Sequence, residues 1–159
     1  MIIFINGSIN SGKSTVSKIL VDKLGNTALL EIDHLRNFIE WMPFEQAIPI
    51  SLENAIAVIK VFISRGLNVV IPYPLSKNNY EYFLKKLKGS DTKIEIFTLS
   101  PKLEVVLAKR GSRSLTDWEK ERIKYHYTIG IPNPDFGIII DNSDETPEQT
   151  AELIFRKLA

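Results

Sequence analysis

At 159 residues with a net charge of +1, 44% hydrophobic and 25% charged, the sequence describes one globular domain and excludes a disordered chain. It holds no cysteine, which excludes a disulfide framework, a thiol nucleophile and any thiolate metal site. No unbroken apolar run reaches the length of about 18 residues that a membrane span needs, and Lys13 and Lys18 interrupt the first apolar stretch too early for a signal peptide. The expectation is a cytoplasmic single domain over 1–159, with no membrane or nucleic-acid partner. No association signal is visible, so a monomer or weak dimer is expected.

The even charge balance hides a gradient. Residues 81–124 carry eleven basic and seven acidic groups, whereas 125–159 carry two basic and six acidic ones. Positive charge concentrated in the middle third suits a protein that handles a polyanion. Lys85, Lys86 and Lys88 read as a solvated helix face.

Ile2-Ile3-Phe4-Ile5 is a short apolar run of the kind found in strands covered on both faces. Residues 7–14 then read Gly7-Ser8-Ile9-Asn10-Ser11-Gly12-Lys13-Ser14, two glycines five apart followed by Lys and Ser. That is the phosphate-binding loop pattern, placed between a strand and the helix predicted over 15–24. Such a loop aims its backbone N–H groups at phosphate oxygens, and the helix amino end adds its dipole. Gly7, Asn10, Ser11, Gly12, Lys13, Ser14 and Thr15 are the candidate nucleotide contacts. Lys13 would neutralise the outer phosphates, and Ser14 suits Mg²⁺.

A second strand is predicted over 27–32, and its alternation places Glu31 and Asp33 on one side. Glu31 is the candidate metal partner. Asp33 is the candidate base for an acceptor hydroxyl, with a helix cap near His34 as its other reading. Arg36, one helical turn on, can grip a polar or anionic acceptor. Trp41, Phe44 and Tyr73 offer aromatic walls for it, although core packing explains each as well. His34 and His126 stand in no metal-ligand spacing and read as structural or surface groups.

A helix follows over 52–62, capped by Ser51 and stopped by Gly66, then a strand over 67–71. Pro72 closes that strand at the place of a metal-orienting Asp, leaving metal orientation to strand two. A helix over 79–87 and a strand over 93–99 lead to a helix over 102–110 and the turn-rich segment Gly111-Ser-Arg-Ser-Leu-Thr116. Arg110 and Arg113 are spaced to approach one phosphate chain as a lid closes, stabilising transferring charge and excluding water. A helix over 117–127, a strand over 136–140 and a helix over 147–158 complete the chain, and Asn142, just past the last strand, is a candidate adenine contact. Five buried strands separated by helices make a doubly wound α/β sheet.

On GSINSGKS at 7–14, EIDHLR at 31–36, VVLAKRGSR at 105–113 and FGIIIDNSDETPEQTAELI at 136–154, the sequence resembles the small P-loop kinases. That group includes shikimate kinase, gluconate kinase, adenylate kinase and the chloramphenicol phosphotransferase-like proteins. The resemblance implies the P-loop nucleoside triphosphate hydrolase fold, with five parallel strands in the order 2-3-1-4-5. It also implies an acceptor-binding segment over about 34–65 and a lid over about 109–117 carrying Arg110 and Arg113. ATP and Mg²⁺ are the implied cofactors, and a small-molecule hydroxyl the implied acceptor. Glu31-x-Asp33 is similar to the Asp-x-Asp pair of the shikimate kinase branch, and Asp33-x-x-Arg36 to the phosphotransferase-like branch. The Gly-Gly motif after strand three of shikimate kinases is replaced by Ile71-Pro72-Tyr73-Pro74. The leading expectation is a kinase for a small hydroxylated molecule. A nucleoside or nucleotide kinase is the alternative, and it would need more arginines than the Arg36 and Arg65 found over 34–75. A nucleotide-dependent switch or binding protein is the non-kinase reading, against which the guanine-reading Asn/Thr-Lys-x-Asp pattern is absent.

Overall fold

A computed structural model describes residues 1–89, 92–108 and 114–158. Its strands are β1 (Ile2–Gly7), β2 (Thr27–Leu29), β3 (Asn68–Pro72), β4 (Ile94–Leu99) and β5 (Ile138–Ile140). The helices are α1 (Lys13–Leu24), α2 (Ile32–Leu35), α3 (Phe44–Ser64), α4 (Lys77–Leu87), α5 (Leu103–Leu107), α6 (Asp117–Thr128) and α7 (Pro147–Leu158). A 3-10 turn, Arg36–Ile39, follows α2. All strand pairs are parallel, in the order β2-β3-β1-β4-β5 that the resemblance implied.

Strand alternation splits the core into two layers. Ile2 and Phe4 of β1 join Val69 and Ile71 of β3 under α3 and α4. Ile3 and Ile5 join Val70, Phe97 and Leu99 under α1 and α7. Both faces of β1 are thus apolar, as its unbroken hydrophobic run requires.

Several element bounds differ from the sequence reading, each for a physical reason. The second strand stops at Leu29 rather than Ile32. Leu30 donates the last ladder bond to the Val70 carbonyl, at 2.9 Å, and the next donor along β3 would be Pro72, which has no N–H. Glu31 and Asp33 therefore do not alternate on a strand: Glu31 is the residue before α2 and makes no side-chain cap bond, and Asp33 lies in its first turn. Asp33 is not the cap of a helix starting near His34.

The helix expected from Leu52 begins at Phe44. Ser51 is not its cap but lies inside it, buried, donating Oγ to the Ala47 carbonyl at 3.0 Å. Pro49 removes one backbone bond on the exposed side of the helix, while Ala47 and Ser51 lie on its buried side. Among the described residues α3 alone is long and apolar enough to cross a membrane, with a mean hydropathy of 1.6. Its stripe of Ala47, Leu52, Ala55, Ile56 and Ile59 packs into the core.

The last strand starts at Ile138 rather than Phe136. Gly137 has φ +72°, and a Cβ there would meet the Ile96 carbonyl oxygen at 2.7 Å, while the Phe136 ring stacks on Tyr80 with centroids 3.9 Å apart. The helix expected over 102–110 is described only as Leu103–Leu107, with Ala108 extended. Lys109, Arg110 and Arg113 lie outside the described residues, and Asp117, at the expected end of the lid, opens α6.

Candidate active site

The phosphate loop leaves the C-terminal end of β1, and its shape depends on groups beneath it. Gly7 has φ +142°, and a Cβ there would stand 2.6 Å from both the Leu99 carbonyl oxygen and Ser11 Oγ. Only glycine fits this close approach. Asn6, fully buried, carries four hydrogen bonds. Its Oδ1 accepts from the Gly7 and Leu75 amides, both at 2.7 Å. Its Nδ2 donates to Thr98 Oγ1 at 3.0 Å and to the Ile131 carbonyl at 3.1 Å. One side chain thereby ties the loop to β4 and to the segments after β3 and α6, with its hydrogen-bonding capacity filled.

Asn10, at φ +62°, donates to the Val106 and Ala108 carbonyls at 2.8 and 3.2 Å, joining the loop to the end of α5. Asn142 is buried and donates to the Ser11 carbonyl at 3.0 Å. Its amide holds the loop backbone from beyond β5. Gly7 and Ser11 are also buried, and Thr15 is exposed on α1, so none of the three lines the cleft.

The amino end of α1 suits phosphate. Gly12 stands at its cap position and supplies no side-chain acceptor, and the first turn holds no acidic residue. Its leading N–H groups are left for an external anion. Ser14 is exposed at this end. Lys13 folds back, Nζ donating to the Ser8 carbonyl at 2.7 Å. Burial lowers its pKa to about 8, against the raising effect of the Asp33 and Glu31 carboxylates. This ammonium, these amides and the Ser14 hydroxyl match a nucleotide phosphate chain with a hard cation, as Glu31 does beside them. Among the described residues no group of three or more His, Asp or Glu side chains forms a ready-made metal cage.

A cleft of about 530 Å³ opens over the loop, large enough for a small ligand. Asn10, Lys13, Ser14, Glu31, Asp33, Arg36, Phe44 and Tyr73 all line it, so the structure brings together these eight residues singled out from sequence. Trp41 does not belong to it: that side chain follows the 3-10 turn, is 80% exposed, and lies off the cleft. Tyr73 is buried, and its hydroxyl pKa is pushed up to about 12 by burial and by Asp33, against the lowering effect of Arg122. It stays a hydrogen-bond donor at neutral pH.

The far wall was missed from sequence. Trp118, Arg122, Tyr125 and Ile129 of α6 and its C-terminal cap line the cleft together. Their spacing of four, three and four residues marks one helical stripe, the signal that could have found them. His126 also borders the cleft, from beneath the phosphate loop. It is buried, with Nδ1 3.3 Å from Ser8 Oγ, and burial, Arg122 and Lys13 lower its pKa to about 4. His34 is exposed, 3.5 Å from Glu31.

The phosphate loop and the strand order define the P-loop nucleoside triphosphate hydrolase fold. No protein-family model matches the sequence, and no curated protein matches it. Solved structures do. The tunicamycin resistance protein of Deinococcus radiodurans is 20% identical, with a TM-score of 0.69 over 99% of this chain and 95% of that one. A sugar kinase from Janibacter sp. HTCC2649 is 18% identical, with a TM-score of 0.73 over 99% and 93%. Shikimate kinase from Aquifex aeolicus is 18% identical, with a TM-score of 0.62 over 99% and 96%. At these identities the shared property is the fold.

Proposed function

We propose that the protein is an ATP- and Mg²⁺-dependent kinase that transfers the γ-phosphoryl group to a hydroxyl of a small molecule. The observation that carries this reading is the single cleft in which Lys13, the uncapped end of α1 and the Asp33 carboxylate face one another. The loop amides and Lys13 hold the phosphates, the ammonium exchanging the Ser8 carbonyl for them. Ser14 and Glu31 would hold Mg²⁺, which supplies charge neutralisation when bound. Asp33 orients the acceptor hydroxyl and takes its proton as the new O–P bond forms and the bond to the β-phosphate oxygen breaks, releasing ADP. Arg110 and Arg113 are assigned to the transferring group, and the protein to the cytoplasm. The nucleoside or nucleotide kinase reading gains from Arg122, which supplies the second cleft arginine that residues 34–75 lacked.

The test is transfer from Mg-ATP to a broad panel of sugars, nucleosides, hydroxy acids and phosphate esters, followed by product analysis. Asp33→Asn is expected to lower turnover by at least about 10² while leaving ATP binding intact. Unchanged turnover removes Asp33 from the chemistry. ATP binding with no transfer to any panel member supports the nucleotide-dependent switch instead.

A further inference from the structure

The cleft lining holds two guanidiniums from distant parts of the chain. Arg36 leaves the 3-10 turn after Asp33, and its Cζ lies 4.9 Å from the Phe44 ring centroid. Arg122 on α6 lies 5.9 Å from the same centroid and 5.0 Å from that of Tyr125. Both arginines are half-buried and line the cleft. Among the described residues neither has a carboxylate within 4.0 Å. A guanidinium held over a ring keeps its planar fork of N–H donors, which can meet carboxylate or phosphate oxygens two at a time. Two like charges sharing one ring, partly withdrawn from water, repel each other until an anion arrives.

Asp33 and Arg122 both act on the Tyr73 hydroxyl, in opposite senses, so that hydroxyl lies within electrostatic reach of each. The cleft thus holds both the Asp33 carboxylate and the guanidiniums of Arg36 and Arg122 in its lining.

Resting on the kinase reading, we infer that the acceptor carries an anionic group, a carboxylate or a phosphate monoester, held by Arg36 and Arg122 while its hydroxyl meets Asp33. This makes Arg122 a specificity-determining residue and separates the acceptor from neutral sugars and alcohols. The group recognised is a planar or tetrahedral oxyanion, and the two sources are distinguished by the arms of the test.

The full chain with Mg-ATP is assayed on matched pairs. One arm takes hydroxy acids such as glycerate and mandelate against their amides. The other takes nucleoside monophosphates and sugar phosphates against the parent nucleosides and sugars. Within the active arm the charged member is expected to be preferred by at least about 100-fold in kcat/KM. Arg122→Gln is expected to raise its KM by at least about tenfold with kcat little changed, Arg122→Lys recovering part of the loss. Neutral members turned over as well as their charged partners would overturn the inference and leave the kinase reading standing. So would a charge preference that survives in both Arg36→Gln and Arg122→Gln. Equilibrium binding of the same pairs to protein saturated with a non-hydrolysable ATP analogue decides the case without turnover. Charged members bound through Arg122 and never phosphorylated support the anion site and count against the kinase. Equal or absent binding of both members overturns the anion site.

Discussion

Asn6 shows how one side chain can set a whole site. Both lone pairs and both N–H groups of its amide are used, on four separate segments, in a fully buried place. Removing such a hub orphans buried groups that water cannot easily reach. Asn6→Ala is expected to cost at least about 3 kcal/mol in urea denaturation; a loss below about 1 kcal/mol would show that solvent replaces the amide. Lys13 makes a different statement at the same scale. With its pKa held near 8 in the free protein, binding of phosphates must return a proton to it at higher pH. ATP affinity is expected to weaken roughly tenfold per pH unit above about 8. Calorimetry at pH 8.5 in buffers of different ionisation heat should register proton uptake. Neither role was legible in sequence to the same degree: Lys13 stood in a local motif, whereas Asn6 has partners far along the chain.

Helix α6 serves both the cleft and the phosphate loop. Thr116 and Glu119 close its amino end with a reciprocal capping box. One stripe lines the cleft, and His126, one turn on from Arg122, borders it as well and lies 3.3 Å from Ser8 of the phosphate loop. The histidine is neutral in the folded chain until pH falls to about 4, whereas its ordinary pKa is 6.5. Between those values the unfolded chain takes up a proton that the folded chain refuses. Stability is therefore complete above pH 6.5 and declines as pH falls toward 4, by about 3 kcal/mol in all. His126→Gln should flatten the dependence of the denaturation midpoint on pH over that window, and an unchanged slope would assign the acid sensitivity to other groups. The two ends of the second strand carry a related lesson. Its start followed from local pattern, but its end was set by Pro72 on a neighbouring strand, so the turn that aims Asp33 was invisible to alternation.

Across the whole molecule, parallel strands deliver the phosphate loop, Glu31, Asp33 and Tyr73 to one edge of the sheet. α6 closes the cleft from the other side, making the ligand site a junction of elements that each pack on the core. Ligand binding should therefore stabilise the entire fold. At a hundred times its Kd, Mg-ATP is expected to add about 2.7 kcal/mol, raising Tm by roughly 5–10 °C. Lys13→Ala should abolish most of that shift, and a shift surviving intact would place the nucleotide elsewhere.

The sequence by itself determined the phosphate loop, the number and hydrophobic faces of the strands, and, through resemblance, the strand order. These follow from spacing within a few residues, where backbone geometry and side-chain period are coupled directly. Tertiary structure alone decided which side chains share the cleft. Arg122 joins Arg36 at Phe44, Trp41 is left outside, and Asn142 turns to the loop backbone, because contacts between distant segments depend on how helices pack on the sheet.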